Sequence, residues 1–232
     1  MTEWRLLGRV PTASNAVFMA EVDGLRVVYK PVAGEAPLWD FPDGTLAKRE
    51  VASYRVADFL SRSSGAAEGD SFVPRTWIDD GPHGPGMVQE WIEADGESEL
   101  VWLEDDHVGH ERSDEIRRIA LFDAIVNNAD RKAGHLLSVG ERRYAIDHGV
   151  TLHQSPKLRT VLWGWAGEQI TDDERALVAR VQDAVIARDL DLRAWIARAE
   201  IDALVRRCDE LLIDGAFPVP WHEWRCLPWP LY

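Results

Sequence analysis

The chain has 232 residues, 46% of them hydrophobic and 28% charged, and its formal net charge at pH 7 is −14. A chain of this size and composition buries a sizeable core, which excludes a disordered protein and a small disulfide-dependent domain. The negative charge disfavours nucleic acids and anionic membranes as partners, because both bind clustered lysine and arginine. With only two cysteines and no apolar run long enough to span a bilayer, we expect a cytoplasmic protein.

The first ninety or so residues have the pattern of a β-sheet with one inserted helix. Short β-prone runs predict strands at residues 4–10, 16–22, 25–30, 72–78 and 87–92. Asp23-Gly24, between the second and third runs, is a strong signal for a tight hairpin. A helix is predicted from Leu46 to about Leu60, with Thr45 as its N-cap.

From Ser113 onward the pattern is mostly helical. Ser113 is a good N-cap for one helix, and residues 171–174 fit a capping box for a second helix. A third helix is predicted from the apolar stripe over residues 201–212, and Gly215 ends it. The pattern therefore predicts mainly helical structure in this part of the chain.

Two short β-prone runs, at residues 136–139 and 144–146, interrupt these helices where polar residues concentrate. The change from sheet to helix along the chain predicts an α+β fold with two lobes and a cleft between them. The predicted boundaries are a β-rich N-lobe at residues 1–92 and a mainly helical C-lobe at residues 93–232, which ends in a tail rich in tryptophan and proline.

The chemistry is concentrated where an apolar helix leads into a polar loop. Asp130 lies in this loop, and Asp147 ends the second of the two short β-prone runs. A carboxylate at the end of a core element is costly unless it has a charged partner, hydrogen-bond donors or a cation. Phosphoryl transfer requires a carboxylate for the acceptor hydroxyl, a metal-binding carboxylate with a further ligand, and a lysine for the phosphates. Asp130, Asp147, His135 and Lys30 fit these roles in that order.

Lys30 ends the apolar run Val27-Val28-Tyr29, from which its side chain is predicted to point into a cleft. Glu50 is predicted on the inward face of the following helix, because it lies four residues from both Leu46 and Tyr54. A carboxylate on an inward face needs a cation, and Lys30 is the obvious candidate.

At these positions the sequence resembles the phosphatidylinositol 3-/4-kinase superfamily, most closely the type II phosphatidylinositol 4-kinases, and also the toxin kinases of the HipA group. The resemblance rests on the pair Lys30-Pro31, on the motif at residues 128–131 with His135 after it, and on residues 147–149 in place of Asp-Phe-Gly. It implies a two-lobed protein-kinase-like fold and a kinase that uses ATP and Mg²⁺ or Mn²⁺.

The resemblance also implies a role for each matched catalytic position. Lys30 would contact the α- and β-phosphates of ATP, and Glu50 would hold Lys30 in place. Asp130, followed by Arg131, would act on the acceptor hydroxyl.

The metal and nucleotide positions follow from the same resemblance. Asp147 would bind the metal, and His135 would replace the asparagine ligand of the family, which suits Mn²⁺ better than Mg²⁺. In the loop that covers the phosphates, which lacks glycine, the phosphates would be held by Ser14, Asn15 and backbone amides. The backbone of the connector that contains Glu90, Trp91 and Ile92 would read the adenine.

Simpler interpretations exist for each of these residues. Lys30 is also explained as an edge-strand lysine that prevents aggregation, and Glu50 as part of a solvated helix face. Asp130 and Arg131 are also explained as a loop ion pair that caps the preceding helix. His135 alone is more typical of a hydrogen-bonded histidine than of a metal ligand.

The acceptor is predicted to be a hydroxyl of a protein or of a small soluble molecule. Type II lipid kinases carry a lipidated, cysteine-rich insert after the Lys-Pro region, and the corresponding residues 35–45 contain no cysteine. Stable membrane anchoring is therefore not expected. Two alternatives to an active kinase are a nucleotide-binding pseudokinase and an interaction module that presents the tryptophan-rich tail.

Overall fold

The computed structural model describes residues 2–10, 15–67, 69–95, 100–104, 107–221 and 225–232. Its N-terminal part contains a five-stranded antiparallel sheet in the order β1-β2-β3-β5-β4. The strands are β1 (Trp4–Arg9), β2 (Phe18–Val22), β3 (Leu25–Pro31), β4 (Thr76–Gly81) and β5 (Gly84–Glu90). Asp23 and Gly24 form the predicted hairpin turn, and both have the positive φ that a two-residue turn requires.

β3 lies in the middle of this sheet, so Lys30 is not on an edge strand. Its side chains alternate between two faces, as the period of a strand requires. Val27 and Tyr29 are fully buried in a small core with Val88 of β5, whereas Lys30 points to the opposite face. Helix α1 (Leu46–Ser63) packs on the sheet through β4 and β5, and its Glu50 side chain reaches Lys30.

The C-terminal part is mainly helical. It contains the hairpins β6–β7 and β8–β9 and three helices, in chain order β6 (Val101–Glu104), β7 (His107–His110), α2 (Asp114–Val126), β8 (Leu136–Val139), β9 (Arg142–Ala145), α3 (Asp172–Ala187) and α4 (Arg198–Asp214). The predicted α+β fold with a β-rich N-terminal lobe and a mainly helical C-terminal lobe is confirmed. One large apolar core joins the four helices, and α2 contributes fully buried residues such as Phe122 and Ile125.

Three predicted helix caps can be compared with the structure. Ser113 accepts a hydrogen bond from the Ile116 amide, and Thr171 forms a capping box with Glu174, so both predictions are confirmed. Thr45 is the N-cap residue of α1 as predicted, but its side chain does not cap the helix, because its hydroxyl donates to the Pro42 carbonyl. The carboxylate of Glu35 accepts from the amides of Leu46 and Ala47 instead.

Several strand predictions differ from the structure in their bounds. β4 begins at Thr76, four residues later than the predicted run, β2 begins two residues later, and β5 and β9 begin three and two residues earlier. The β6–β7 hairpin was not predicted. The described part of the C-terminal tail has no helix or strand and packs irregularly, with Tyr232 donating to the Val101 carbonyl. Among the described residues, no helix combines the length and apolar character that crossing a bilayer requires.

Candidate functional site

Lys30 lies at the centre of a charged cluster between the sheet, α1 and the loop after β9. Its Nζ donates to Oε1 of Glu50 over 2.7 Å and to Oδ1 of Asp147 over 2.8 Å. Glu50 is 2% exposed, so it is not part of a solvated helix face. Although burial alone would lower it, Asp147 and Glu50 raise the pKa of Lys30 above its usual value. Lys30 is therefore a fixed positive charge at the boundary between the two lobes.

The backbone places Asp147 in an unusual conformation for a residue other than glycine. Its φ is +62°, in the left-handed region, which aspartate tolerates better than most residues other than glycine. Although burial alone would raise it, the Lys30 ammonium holds the pKa of Asp147 well below its usual range. The side chain is nonetheless 47% exposed, so an ionised carboxylate faces the cleft.

His135 lies beside Asp147 at the start of β8. Its Nε2 is 3.3 Å from Oδ2 of Asp147, and its Nδ1 accepts a hydrogen bond of 3.4 Å from the backbone amide of Lys132. Burial lowers the pKa of His135 to about 4, against the opposing effect of Asp147, so the imidazole is neutral at neutral pH. Because Nδ1 is the acceptor for the Lys132 amide, the neutral ring carries its proton on Nε2, and Nε2 can bind a metal ion beside Asp147 only in the other tautomer.

Asp130 occupies the loop between α2 and β8. Its amide donates to Oδ1 of Asn128, and its Oδ2 lies 3.3 Å from Nζ of Lys132. Burial raises the pKa of Asp130, and the nearby Lys132 ammonium opposes this shift. The ion-pair partner of Asp130 is therefore Lys132 and not Arg131, which differs from the simple loop-pair interpretation.

Arg131 points away from the cleft into the core of the C-terminal lobe. Its guanidinium is fully buried and forms two hydrogen bonds with the carboxylate of Asp123, of 2.8 and 2.9 Å. It also donates to the carbonyl of Ile146 and contacts Nε2 of His148. Arg131 thus connects α2 to the segment that carries Asp147.

One cavity brings the predicted catalytic and metal residues together. It has a volume of about 210 Å³ and is lined, among others, by Lys30, Glu50, Asp130, His135 and Asp147. These residues come from β3, from α1, from the loop after α2, and from the two ends of the β8–β9 hairpin.

The predicted phosphate loop and adenine connector can be placed only in part. Ser14 lies outside the described residues. Asn15 lines the cavity, but its Oδ1 already accepts a hydrogen bond from the Ala36 amide. Ala16 lies close to Gly34, where an added Cβ would come within 2.4 Å of the Ala16 side chain.

None of the three connector residues lines this cavity. The amides of Glu90 and Trp91 donate to the carbonyls of Arg75 and Arg26, so they are not available to a nucleobase. Ile92 follows them directly at the end of the sheet.

A divalent cation fits the donor set of this cavity, although the protein supplies few ligands. Mg²⁺ is often bound by one or two protein oxygens together with the phosphates of a substrate. The ionised, half-exposed carboxylate of Asp147 supplies one donor, and Nε2 of the adjacent His135 supplies a second when the ring proton lies on Nδ1. Within the described ranges no group of three or more histidine, cysteine or acidic side chains forms a cation site, so bound phosphate oxygens would have to complete the ligand shell.

The sequence interpretation missed several residues of this site. Lys132 was visible as the second residue after Asp130, and Asp123 as the single charge in the otherwise apolar second half of α2, residues 119–126. Arg49 and Glu200 gave no such signal, because they meet across 151 positions of the chain.

The architecture is that of a kinase-like fold. The chain is similar to a solved structure, "Crystal structure of A Helicobacter pylori proinflammatory kinase CtkA", with a TM-score of 0.54 and 94% of each chain covered. The two sequences are only 10% identical, so this similarity establishes the fold alone.

The family is established by a relative in sequence. The chain is 42% identical to "Protein Rv2133c" of Mycobacterium tuberculosis (strain ATCC 25618 / H37Rv), over 99% of this chain and 92% of that protein. The chain therefore belongs to the same family as Protein Rv2133c. No protein-family profile matches the sequence.

Proposed function

We propose that the protein is a metal-dependent ATP phosphotransferase of the phosphatidylinositol 3-/4-kinase-like class. The observation that carries the proposal is the double ion pair of Lys30 with Glu50 and Asp147, in one cavity with Asp130 and His135. Phosphoryl transfer is catalysed almost entirely by positioning and by charge stabilisation, and this cavity offers groups for both. The structural neighbour from Helicobacter pylori is named as a kinase, which agrees with this assignment.

In this proposal Lys30 binds the α- and β-phosphates of ATP, and Glu50 holds its ammonium in position. Asp130 accepts the proton of the acceptor hydroxyl. The hydroxyl oxygen bonds to the γ-phosphorus of ATP, and the bond between the γ-phosphorus and ADP breaks. The raised pKa of Asp130 suits a general base better than that of a solvated aspartate. Lys132 stabilises negative charge beside Asp130, and Arg131 is a positioning residue because it is buried away from the cavity.

Asp147 and His135 would hold the divalent cation. A bound cation supplies charge that offsets the negative phosphate oxygens. We assign the phosphate loop to the segment that contains Ser14 and Asn15. Base recognition in the connector falls to Ile92, because the amides of Glu90 and Trp91 are already bonded.

The acceptor in this proposal is a hydroxyl of a protein or of a small soluble molecule. Residues 35–45 contain no cysteine for a lipid anchor, and the net charge of −14 disfavours an anionic lipid surface.

Two isosteric variants test the catalytic assignment. Asp147→Asn should remove metal-dependent binding of ATP, because the amide cannot supply the charge of the carboxylate. Asp130→Asn should retain that binding and lower the transfer rate by about 10²–10⁴-fold. Binding of ATP with Mg²⁺ or Mn²⁺ is measured by calorimetry, and transfer is measured from labelled γ-phosphate to the protein itself or to water.

Asp191→Asn is the matched control, because Asp191 pairs with Arg193 on the surface and does not line the cavity. It should leave both measurements unchanged. If the wild-type protein binds no ATP, the proposal is wrong. If it binds ATP without any transfer, the pseudokinase alternative replaces it.

A further inference from the structure

Arg49, the residue before Glu50 on α1, is buried although it is charged. Its Nη2 donates to Oε1 of Glu200 over 2.5 Å, and its Nη1 donates to the Thr151 carbonyl over 2.9 Å. The Phe41 ring lies 4.8 Å from its guanidinium carbon. Burying a guanidinium is costly unless its donors are paired. Arg49 therefore joins α1 to α4 and to the segment after Asp147 by contacts that are expensive to break.

These contacts continue to the charged cluster. Thr151 lies between α1 and the site: its hydroxyl is 2.7 Å from Oγ of Ser53 and donates to the His148 carbonyl over 2.8 Å. The His148 amide donates to Oε2 of Glu50 over 2.8 Å, and Oε1 of Glu50 accepts from Lys30. Hydrogen bonds through Thr151, His148 and Glu50 thus connect Arg49 to Lys30.

At the other end, Glu200 uses both of its oxygens. Oε2 accepts from the Ala197 amide at the start of α4, and Oε1 accepts from Arg49. The carboxylate thereby caps α4 and holds α1 at the same time. The N-terminus of α4 is thus one point of the C-terminal lobe to which α1 is attached, in addition to the packing of α1 on α2 and α3.

We infer that Arg49 and Glu200 are positioning residues, which fix α1 against α4 and thereby keep Glu50 on Lys30. The kinetic part of this inference rests on the proposed function, whereas its structural part does not. The pair contacts neither the cavity nor the substrates, so its effect on the reaction is indirect.

Three variants break the connection in different ways. Arg49→Lys keeps the charge, but a single ammonium cannot reach both Glu200 and the Thr151 carbonyl. Glu200→Gln removes the charge, while the amide oxygen can still accept from Ala197. The double variant Arg49→Met/Glu200→Met leaves no unpaired buried charge, so it should fold even if a single variant does not. Asp202→Asn is the control, since Asp202 forms an exposed ion pair with Arg198 on the same helix.

The first readout needs no nucleotide. Acetylation of Lys30 by an amine-reactive ester is followed by mass spectrometry in the full chain. In the wild type the ammonium is paired twice and is 19% exposed, so the reaction should be slow. It should be severalfold faster in all three variants, because Glu50 is no longer held beside Lys30, and unchanged in the control.

The second readout is phosphoryl transfer with ATP and Mg²⁺ or Mn²⁺. We expect a loss of about 10-fold in kcat/KM in the three variants, as for other small displacements of catalytic groups. The loss should be non-additive with that of Glu50→Gln, because both changes act through the same contact. A pair that only stabilises the fold would give additive effects.

The outcomes separate the two proposals. Unchanged acetylation of Lys30 in the folded double variant overturns the positioning role, whatever the activity. Faster acetylation in a protein that neither binds nor uses ATP supports the structural part and overturns the proposed function.

Discussion

The ion pair between Asp130 and Lys132 predicts how the rate of phosphoryl transfer depends on pH. Burial raises the pKa of Asp130, and Lys132 at 3.3 Å opposes the rise. A general base works in its deprotonated form, so the transfer rate should rise with pH through the pKa of Asp130. Lys132→Met removes the opposing charge, and the acidic limb of kcat should therefore move to higher pH.

The measurement is a kcat–pH profile of phosphoryl transfer for the two proteins. Lys48→Met is the control, because Lys48 is exposed on α1 and does not line the cavity. If the acidic limb of the Lys132→Met profile stays in place or moves to lower pH, Asp130 is not the titrating base.

The buried Arg131–Asp123 pair supports the loop that carries Asp130. Both side chains are fully buried, and Asn128 also donates to the Asp123 carboxylate. Arg131→Met leaves Asp123 charged and without its main partner, which should lower the free energy of unfolding by about 3–5 kcal/mol. Arg193→Met, at an exposed ion pair, should leave it nearly unchanged. Chemical denaturation measures both values, and similar losses in the two variants would contradict the supporting role of the buried pair.

The start of α1 provides a test at the level of one element. Glu35 accepts from the amides of Leu46 and Ala47, whereas the Thr45 side chain caps neither. Glu35→Ala should therefore lower the free energy of unfolding by about 1 kcal/mol, the usual effect of losing an N-cap. Thr45→Ala loses only its turn contact with Pro42 and should have a smaller effect. A larger loss of stability for Thr45→Ala than for Glu35→Ala in thermal denaturation would show that the Thr45 side chain caps α1 after all.

Local patterns predicted most of the elements correctly. Ser113 and Thr171 cap their helices as expected, and Gly215 ends α4 with a positive φ, because these signals act within one helical turn. The cap of α1 could not be predicted in this way, since Glu35 lies eleven residues before Leu46. Thr45 had the right residue type at the right position, but the tertiary contact of Glu35 replaced it.

The site could be predicted to the extent that its residues follow one another in recognisable motifs. Asp130, His135 and Asp147 lie within one short stretch, and Lys30 ends a strand. The structure places these residues around one cavity, while their roles remain proposals. The Arg49–Glu200 contact depends on where α1 lies relative to α4 in the folded protein, so no local sequence pattern predicts it.

Ion pairs join the two lobes of the molecule across the cleft. Lys30 pairs with Asp147, Arg49 with Glu200, and Asp40 with Lys157, which is itself largely buried. Charge pairs with low exposure are screened little by salt. They fix the orientation of the two lobes and thereby the distance between Lys30 and the carboxylates of the C-terminal lobe.

The proposed function depends above all on whether this cavity binds the metal-bound triphosphate of ATP. A crystal of the protein soaked with Mn²⁺ and a non-hydrolysable ATP analogue decides this, because manganese is located by its anomalous scattering. We expect an anomalous peak in contact with Asp147 and His135, with the phosphates on Lys30. Phosphate density elsewhere on the protein, with Lys30 still paired to Asp147 and no peak beside it, would contradict the proposed function.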